Sequence, residues 1–174
     1  MTKKILGYDV SENNNFTLND FQTMVNNGAE FIVIRSSYGR HSQDSKFLEY
    51  CEYADQVGLK KMAYHYGYAS NPDEAIEEAQ TCANVLNSSG KGFDIIWYDM
   101  EEDCMLKSGQ ATAIAQSFLS NLGLNAGMYA SESPLSDGTI DWKSLGCAVW
   151  NAEYGPTDDI QAMMWQFEIG KLNG

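Results

Sequence analysis

Along this chain, short apolar runs rich in β-branched and aromatic residues alternate with stretches whose apolar residues recur every three or four positions. The first kind reads as buried strand, the second as one-sided helix. Residues 5–11 predict a first strand and residues 13–15 a turn. Leu18, Phe21, Met24 and Val25 then mark a helix stopped at Asn27-Gly28. Residues 31–37 are a second strand; Phe47, Tyr50, Cys51 and Ala54 give the stripe of a helix ending at Gly58; residues 61–68 are a third strand. Pro72 opens a long helix, since Pro suits a first turn and Asp73 and Glu74 meet the positive end of the dipole. Its expected buried face is Ala75, Ile76, Ala79, Cys82, Ala83 and Leu86. Residues 93–101 are a fourth strand. Ser108 is the expected cap of a helix carrying Ile114, Phe118, Leu119 and Leu122. Strands at 126–130, 148–152 and 163–167 follow, the last two joined by a turn at Gly155-Pro156.

Apolar strands alternating with helices predict a parallel sheet covered by helices, which a doubly wound sheet and a barrel both satisfy. The polar positions favour the barrel. Asp9, Arg35, Ser37, His65, Asp99, Glu101, Tyr129, Asn151 and Gln166 fall at or just past the C-terminal ends of their strands, where barrel enzymes build their sites. After the first strand, Asp9-Val10-Ser11-Glu12 lacks the glycine-rich phosphate loop of a nucleotide-binding fold. The expected class is α/β, an irregular (β/α) TIM-like barrel in one domain spanning residues 1–174.

The fourth strand changes the picture from fold to chemistry. Ile95-Ile96-Trp97-Tyr98 runs abruptly into Asp99-Met100-Glu101-Glu102. Side chains alternate along a strand, so Asp99 and Glu101 share a face with α-carbons about 6.6–6.8 Å apart. Two carboxylates so placed can hold different pKa values, one protonated and one ionised, and glycosidic cleavage uses such a pair. Trp97 shares the face and could supply an apolar wall. Asp-x-Glu by itself, however, reads more simply as a solvated acidic loop.

Composition narrows the partners. With 44% apolar residues, seven Phe, ten Tyr and four Trp in 174 residues, the chain is a folded domain with a sizeable core. A formal charge of −13 argues against nucleic acid, which needs clustered Lys and Arg. Cys51, Cys82, Cys104 and Cys147 form no C-x-x-C pair and only His41 and His65 could join them, so no metal or other cofactor is expected and the thiols are read as reduced and mostly core. The first residues run straight into a strand without a leader, and no window approaches a membrane span.

The ordered set of Tyr8-Asp9-Val10-Ser11, residues 31–39, Tyr64-His65-Tyr66 with Tyr68-Ala69, Asp99-Met100-Glu101, residues 150–154 and Trp165-Gln166-Phe167 resembles glycoside hydrolase family 25, the muramidases common among phage endolysins. The resemblance covers nearly the whole chain. It implies a flattened β/α barrel that hydrolyses the β-1,4 bond between N-acetylmuramic acid and N-acetylglucosamine in peptidoglycan. By the same resemblance Glu101 is the catalytic acid and Asp99 and Asp9 assist at the sugar. Asp99 would either hold the substrate N-acetyl group or activate water. An endolysin would stay in the host cytoplasm until its release to the wall. The family's further acid, in an Asp-x-Asn pattern on a last strand after Trp-Gln-aromatic, has no counterpart in residues 168–174. The expectation is a barrel short of its last strand, with an open seam between strands 163–167 and 5–10, filled by water, the tail or a neighbouring chain.

Around the acids, Tyr66, Tyr129, Trp150 and Trp165 are candidates to stack on sugar faces. Arg35 would pair with a site carboxylate or serve in a structural ion pair. His65 reads as structural, and Glu102, Asp103, Glu153 and the Glu74, Glu77 and Glu78 run as solvated surface. Two other functions compete: a chitinase-like glycosidase, disfavoured because its longer acidic series is missing, and a non-catalytic module that binds wall glycan.

Overall fold

The computed structural model describes residues 4–168. Its strands are β1 (Leu6–Val10), β2 (Ala29–Tyr38), β3 (Ser42–Gln43), β4 (Lys60–Tyr66), β5 (Ile96–Asp99), β6 (Ala126–Ser131), β7 (Ala148–Ala152) and β8 (Met164–Gln166). The helices are α1 (Leu18–Asn26), α2 (Phe47–Val57), α3 (Pro72–Ser89), α4 (Asp103–Leu106), α5 (Ala111–Leu122), α6 (Glu132–Ser136) and α7 (Trp142–Leu145). The sheet runs β1-β2-β4-β5-β6-β7-β8, with β3 antiparallel against β2 and the other neighbours parallel.

The expected strands and long helices are present. Gly58, Gly90 and Gly123 close α2, α3 and α5 in the left-handed conformation, where a Cβ would be strained. Asn71 caps α3 by accepting the Glu74 N–H, one residue before Pro72. The short β3, α4, α6 and α7 were not expected; each is too brief to leave a periodic signal. Ser108 does not cap α5. Its hydroxyl donates to the Met105 carbonyl and accepts the Gln110 N–H, closing the turn after α4 instead.

Two apolar clusters lie on opposite faces of the sheet. The larger packs the outer face against the helices and includes Ile32, Ile34, Tyr98, Met128 and Val149 with Phe21, Phe47, Cys82 and Phe118. The smaller fills the inner face: Val33, Ile95, Trp97, Tyr129, Trp150 and Ala152. A parallel sheet covers both faces with something. Here the inner face is covered by the sheet's own side chains, so the sheet curls around them into a half-barrel. Two inward positions are glycine for want of space. A Cβ on Gly7 would meet the Phe31 ring at 2.3 Å, and one on Gly127 would meet Trp97 at 2.6 Å and the Ala148 carbonyl at 2.7 Å.

The curl leaves β1 and β8 as its two ends, with no backbone ladder between them among the described residues. This is the open seam expected of a barrel short of one strand. Whether the tail fills it falls on residues 169–174, outside those described.

Outside the curl, His65 is fully buried between Tyr98 and Phe118, with Nδ1 2.8 Å from the Ser37 hydroxyl. Glu78 is also fully buried, which corrects its reading as solvated surface. It stands three residues after Ala75 and four before Cys82, on the inward stripe of α3, while Ile76 and Ala83 are only half-buried. Its carboxylate accepts the Tyr98 hydroxyl and the Tyr68 N–H, both at 2.7 Å. The His65 Nε2 is 3.8 Å from that carboxylate, beyond hydrogen-bond reach. Burial pushes the His65 imidazole down to about 3, so it is neutral and the pair is not an ion pair.

Replacing Gly127 by Ala forces backbone or the Trp97 ring to move, and should destabilise the fold by about 1–3 kcal/mol, measurable as a lower urea midpoint. A neutral buried His65 also has a signed consequence. Between its unfolded value of 6.5 and about 3 the unfolded chain binds the extra proton, so His65 removes stability as pH falls through that window. His65→Gln should therefore lose less stability than the parent between pH 6.5 and 4, by urea unfolding at each pH; equal slopes would place the His65 proton elsewhere.

Candidate active site

Alternation along β5 sorts its residues cleanly. Ile95 and Trp97 face inward, Ile96, Tyr98 and Met100 face the helices, and Asp99 returns inward above Trp97. The regular strand ends at Asp99, short of Glu101. The extended backbone nonetheless continues, because the Asp99 carbonyl accepts the Gly67 N–H at 3.0 Å and the Met100 N–H donates to the Tyr129 carbonyl at 2.9 Å. Glu101 therefore falls on the same face as Asp99, and both line one cleft.

That cleft, of about 270 Å³, opens at the C-terminal end of the sheet. Asp9 from β1, Arg35 from β2, Tyr64 and Tyr66 from β4, Tyr129 from β6 and Trp150 from β7 reach it with the acid pair. Ser11, Asn13, Tyr154 and Gln166 complete its wall. The three carboxylates proposed from the sequence are thus brought together, and so are Tyr66, Tyr129, Trp150 and Arg35.

Trp165 is not. Its neighbours on β8, Met164 and Gln166, face the interior, so strand parity turns Trp165 outward. There its indole N–H donates to the Glu153 carbonyl at 2.7 Å and its ring packs on Phe167 beneath Lys4. Ser37 also leaves the inner face. A register shift in β2 between Arg35 and Ser37 inserts one residue, placing Ser36 and Ser37 both toward α3. Asn151 likewise faces outward, its amide donating to Glu153 and Asp158 at 3.0 Å each.

Arg35 lines the cleft but is committed to other partners. Its Nε donates to the buried Asp44 at 2.8 Å and its Nη2 to Glu12 at 3.0 Å. Asp44 also accepts the Glu12 and Lys46 N–H groups, and Glu12 accepts the Ser45 N–H and hydroxyl. This network ties the β1–α1 loop to the β3–α2 loop. The loop after β1 is turned by Asn14, which accepts the Ser11 N–H at 2.7 Å, so Asp9 is not needed as its cap.

Burial differentiates the acids. Asp99 is 7% exposed, and its Oδ1 is buried with no hydrogen-bond partner among the described residues. Burial over the aromatic floor pushes its carboxyl well above the usual range; Glu101 and Asp9 add to this and Arg35 opposes it. Asp9 and Glu101 are open to solvent at the mouth yet crowded by protein on their other sides. That crowding raises both, while Gln166 pulls Asp9 back down and Tyr129 does so for Glu101. The floor also holds the tyrosines neutral: burial raises Tyr64, Tyr66 and Tyr129. The Tyr66 hydroxyl donates to Glu102 at 2.8 Å, fixing its ring at the rim. Chemically, the cleft offers one desolvated carboxyl, two carboxyls at its mouth and aromatic walls, a set suited to acid–base work on a neutral substrate.

Sequence reasoning passed over Tyr64 and Tyr154 as site residues, and placed Gln166 at a strand end without giving it a role. Parity was the available signal for two of them: Tyr64 alternates with His65 toward the inside, and Gln166 with Trp165. Among the described residues no group of three or more His, Cys, Asp or Glu could hold a metal, and no helix is long and apolar enough to cross a membrane.

Residues 8–171 match the pattern of Glycosyl hydrolases family 25. The chain is 27% identical to the autolytic lysozyme of Clostridium acetobutylicum over 163 residues, 89% of this chain and 48% of that protein. It is 24% identical to the probable GH family 25 lysozyme 4 of Dictyostelium discoideum, over 73% of this chain and 61% of that one. The chain therefore spans about half to three-fifths of the length of these relatives. The catalytic domain of endolysin ply40, from bacteriophage P40 of Listeria monocytogenes, superposes with a TM-score of 0.78 at 23% identity, covering 96% of this chain and 85% of that one. The autolysin LytC of Streptococcus pneumoniae, in complex with a synthetic peptidoglycan ligand, superposes at 0.73 with 19% identity, over 93% and 42% of the two chains.

If Arg35 acts through the loops it ties, Arg35→Met should cost stability. It would leave the buried Asp44 without its cation, a loss of about 3–5 kcal/mol for a broken buried pair. Asp44→Asn in the same background should recover part of that loss in thermal unfolding; no recovery would place the role of Arg35 outside this network.

Proposed function

The chain belongs to glycosyl hydrolase family 25, and from that premise we propose that residues 1–174 act as a muramidase domain cleaving the β-1,4 bond between N-acetylmuramic acid and N-acetylglucosamine in peptidoglycan. Glu101 serves as general acid, with Asp99 and Asp9 assisting. The observation that carries this reading is the inward row of Asp99 and Glu101, above the buried Trp97, in one cleft with Asp9.

Each role follows from position. Glu101 stands at the mouth, where burial against protein raises its pKa, the direction that suits a group giving its proton to the leaving glycosidic oxygen. Asp99 lies deeper, and its unpartnered Oδ1 is an acceptor waiting for a donor. The N–H of a substrate acetamido group meets that need and would favour the ionised carboxylate on arrival. So held, the acetamido oxygen is turned toward the anomeric carbon and attacks it as the bond to the protonated oxygen breaks, as in substrate-assisted glycosidases. Glu101, now deprotonated, then takes a proton from the water that opens the intermediate. Asp9 faces the developing positive charge from β1, the edge strand on one side of the same cleft. Tyr66, Tyr129, Trp150 and Tyr154 offer ring faces to the sugars.

Glu101→Gln should lower turnover on purified walls by at least about 100-fold, the lower range for loss of a general acid, with an unchanged circular dichroism spectrum and thermal midpoint. Wild-type lysis by the folded variant would remove Glu101 from the mechanism. Reducing-end analysis of digested peptidoglycan should show N-acetylmuramic acid at the cut. N-acetylglucosamine there, or release of chitin oligomers in preference, would reassign the bond, and wall pull-down without new reducing ends would mark a binding module.

A further inference from the structure

Among the described residues β1 and β8 end the sheet without a ladder between them, yet the side chain of Gln166 reaches across the gap to β1. Gln166 Nε2 donates to Asp9 Oδ2 at 3.0 Å, while its Oε1 accepts the Tyr129 hydroxyl at 2.8 Å and the Tyr154 hydroxyl at 3.0 Å. A single amide thereby joins β1, β6, β8 and the β7–β8 connection.

We propose that Gln166 is the positioning residue of this site, holding the Asp9 carboxylate in the cleft across the open seam and orienting the Tyr129 and Tyr154 rings with the same amide. The proposal rests on the muramidase reading for its kinetic consequence, though not for its geometry.

The chemistry of the amide makes the arrangement directional. An ionised carboxylate only accepts, so Asp9 must face the Nε2 donors. That orientation leaves Oε1 to the two phenols, which are neutral and able to donate. With the amide reversed, Oε1 would face Asp9, a repulsion relieved only by putting a proton on Asp9. The charge on Asp9, the amide orientation and the two tyrosine hydroxyls therefore form one linked unit. The groups facing Asp9 sharpen its dependence on this donor. Asp99 and Glu101 on or just beyond β5 are carboxyls whose ionisation and that of Asp9 oppose one another, Tyr64 on β4, Tyr129 on β6 and Tyr154 after β7 bring neutral phenols, and the Arg35 cation on β2 is engaged by Asp44 and Glu12. The Gln166 amide is the hydrogen bond that most favours the Asp9 charge against burial.

Gln166→Glu separates the two halves of the unit: it keeps an acceptor for both tyrosines and removes the donor to Asp9. Carbon-13 carboxyl titration by NMR, with Asp9 assigned through Asp9→Asn, should show Asp9 titrating at least about one unit higher in Gln166→Glu than in the parent. This measurement needs no activity, so it tests the clamp even if wall hydrolysis is not observed. On peptidoglycan, kcat should fall by roughly 10- to 100-fold, the scale of misplacing a reacting group by about an ångström. KM and thermal midpoint should stay near the parent's, and the acid limb of the rate profile should move toward neutral pH. In an Asp9→Asn background, Gln166→Glu should cost little further kcat, since the added Glu accepts from the Asn amide. An unmoved Asp9 titration, or the same kcat loss with and without Asp9, would overturn the proposal. An inactive parent with a shifted Asp9 would uphold the clamp and reject the muramidase reading.

Discussion

Everything at the cleft depends on how the inner face of the sheet is filled. Among the described residues no helix covers that face; Trp97 and Trp150, and Trp150 and Tyr129, pack edge to face there with ring centroids 5.8 and 4.6 Å apart. Room for those rings is made by Gly127 beside Trp97, and Gly7 does the same for Phe31. The aromatic layer is also the floor on which Asp99 stands. The packing that lets the sheet curl therefore removes water from under the carboxyl, and the raised pKa of Asp99 is a direct consequence of the fold. A buried acid without a partner is costly to stability, which is the usual mark of a group kept for function.

The surrounding polar groups divide by face. Outside the curl and under the helices, the Glu78 carboxylate accepts from the Tyr98 hydroxyl and the Tyr68 N–H, and Ser37 bonds His65 Nδ1. At the rim, Asp44 and Glu12 hold Arg35 and, through it, two loops. The carboxylates of both sets have both oxygens paired, whereas Asp99 Oδ1 inside the cleft has no partner among the described residues. The contrast separates scaffold from site more sharply than residue type does, because both sets contain buried carboxylates.

The open side of the curl puts a different demand on the molecule. Neighbouring strands elsewhere share a ladder of backbone hydrogen bonds, but β1 and β8 meet through side chains. Among the described residues Asp9 thus sits on a strand laddered on one flank, and the Gln166 contact ties the other. Site geometry and seam geometry become a single question at that residue.

The alternation of strand and helix, the glycine stops, the acid-ended strand and the inward row of Asp99 and Glu101 were all readable in the sequence, because strand and helix periods are local properties. The convergence of Asp9 with that pair was inferred from strand ends, and the resemblance to family 25 supported it. Tertiary structure decided the rest. The bulge in β2 turned Ser37 away, and parity on β8 exchanged Trp165 for Gln166. Burial took Glu78 from an apparent surface run into the helix layer. A local sequence pattern gives which residues share a face; only the curl determines which face is the inside, what lies beneath each carboxyl and how much water reaches it.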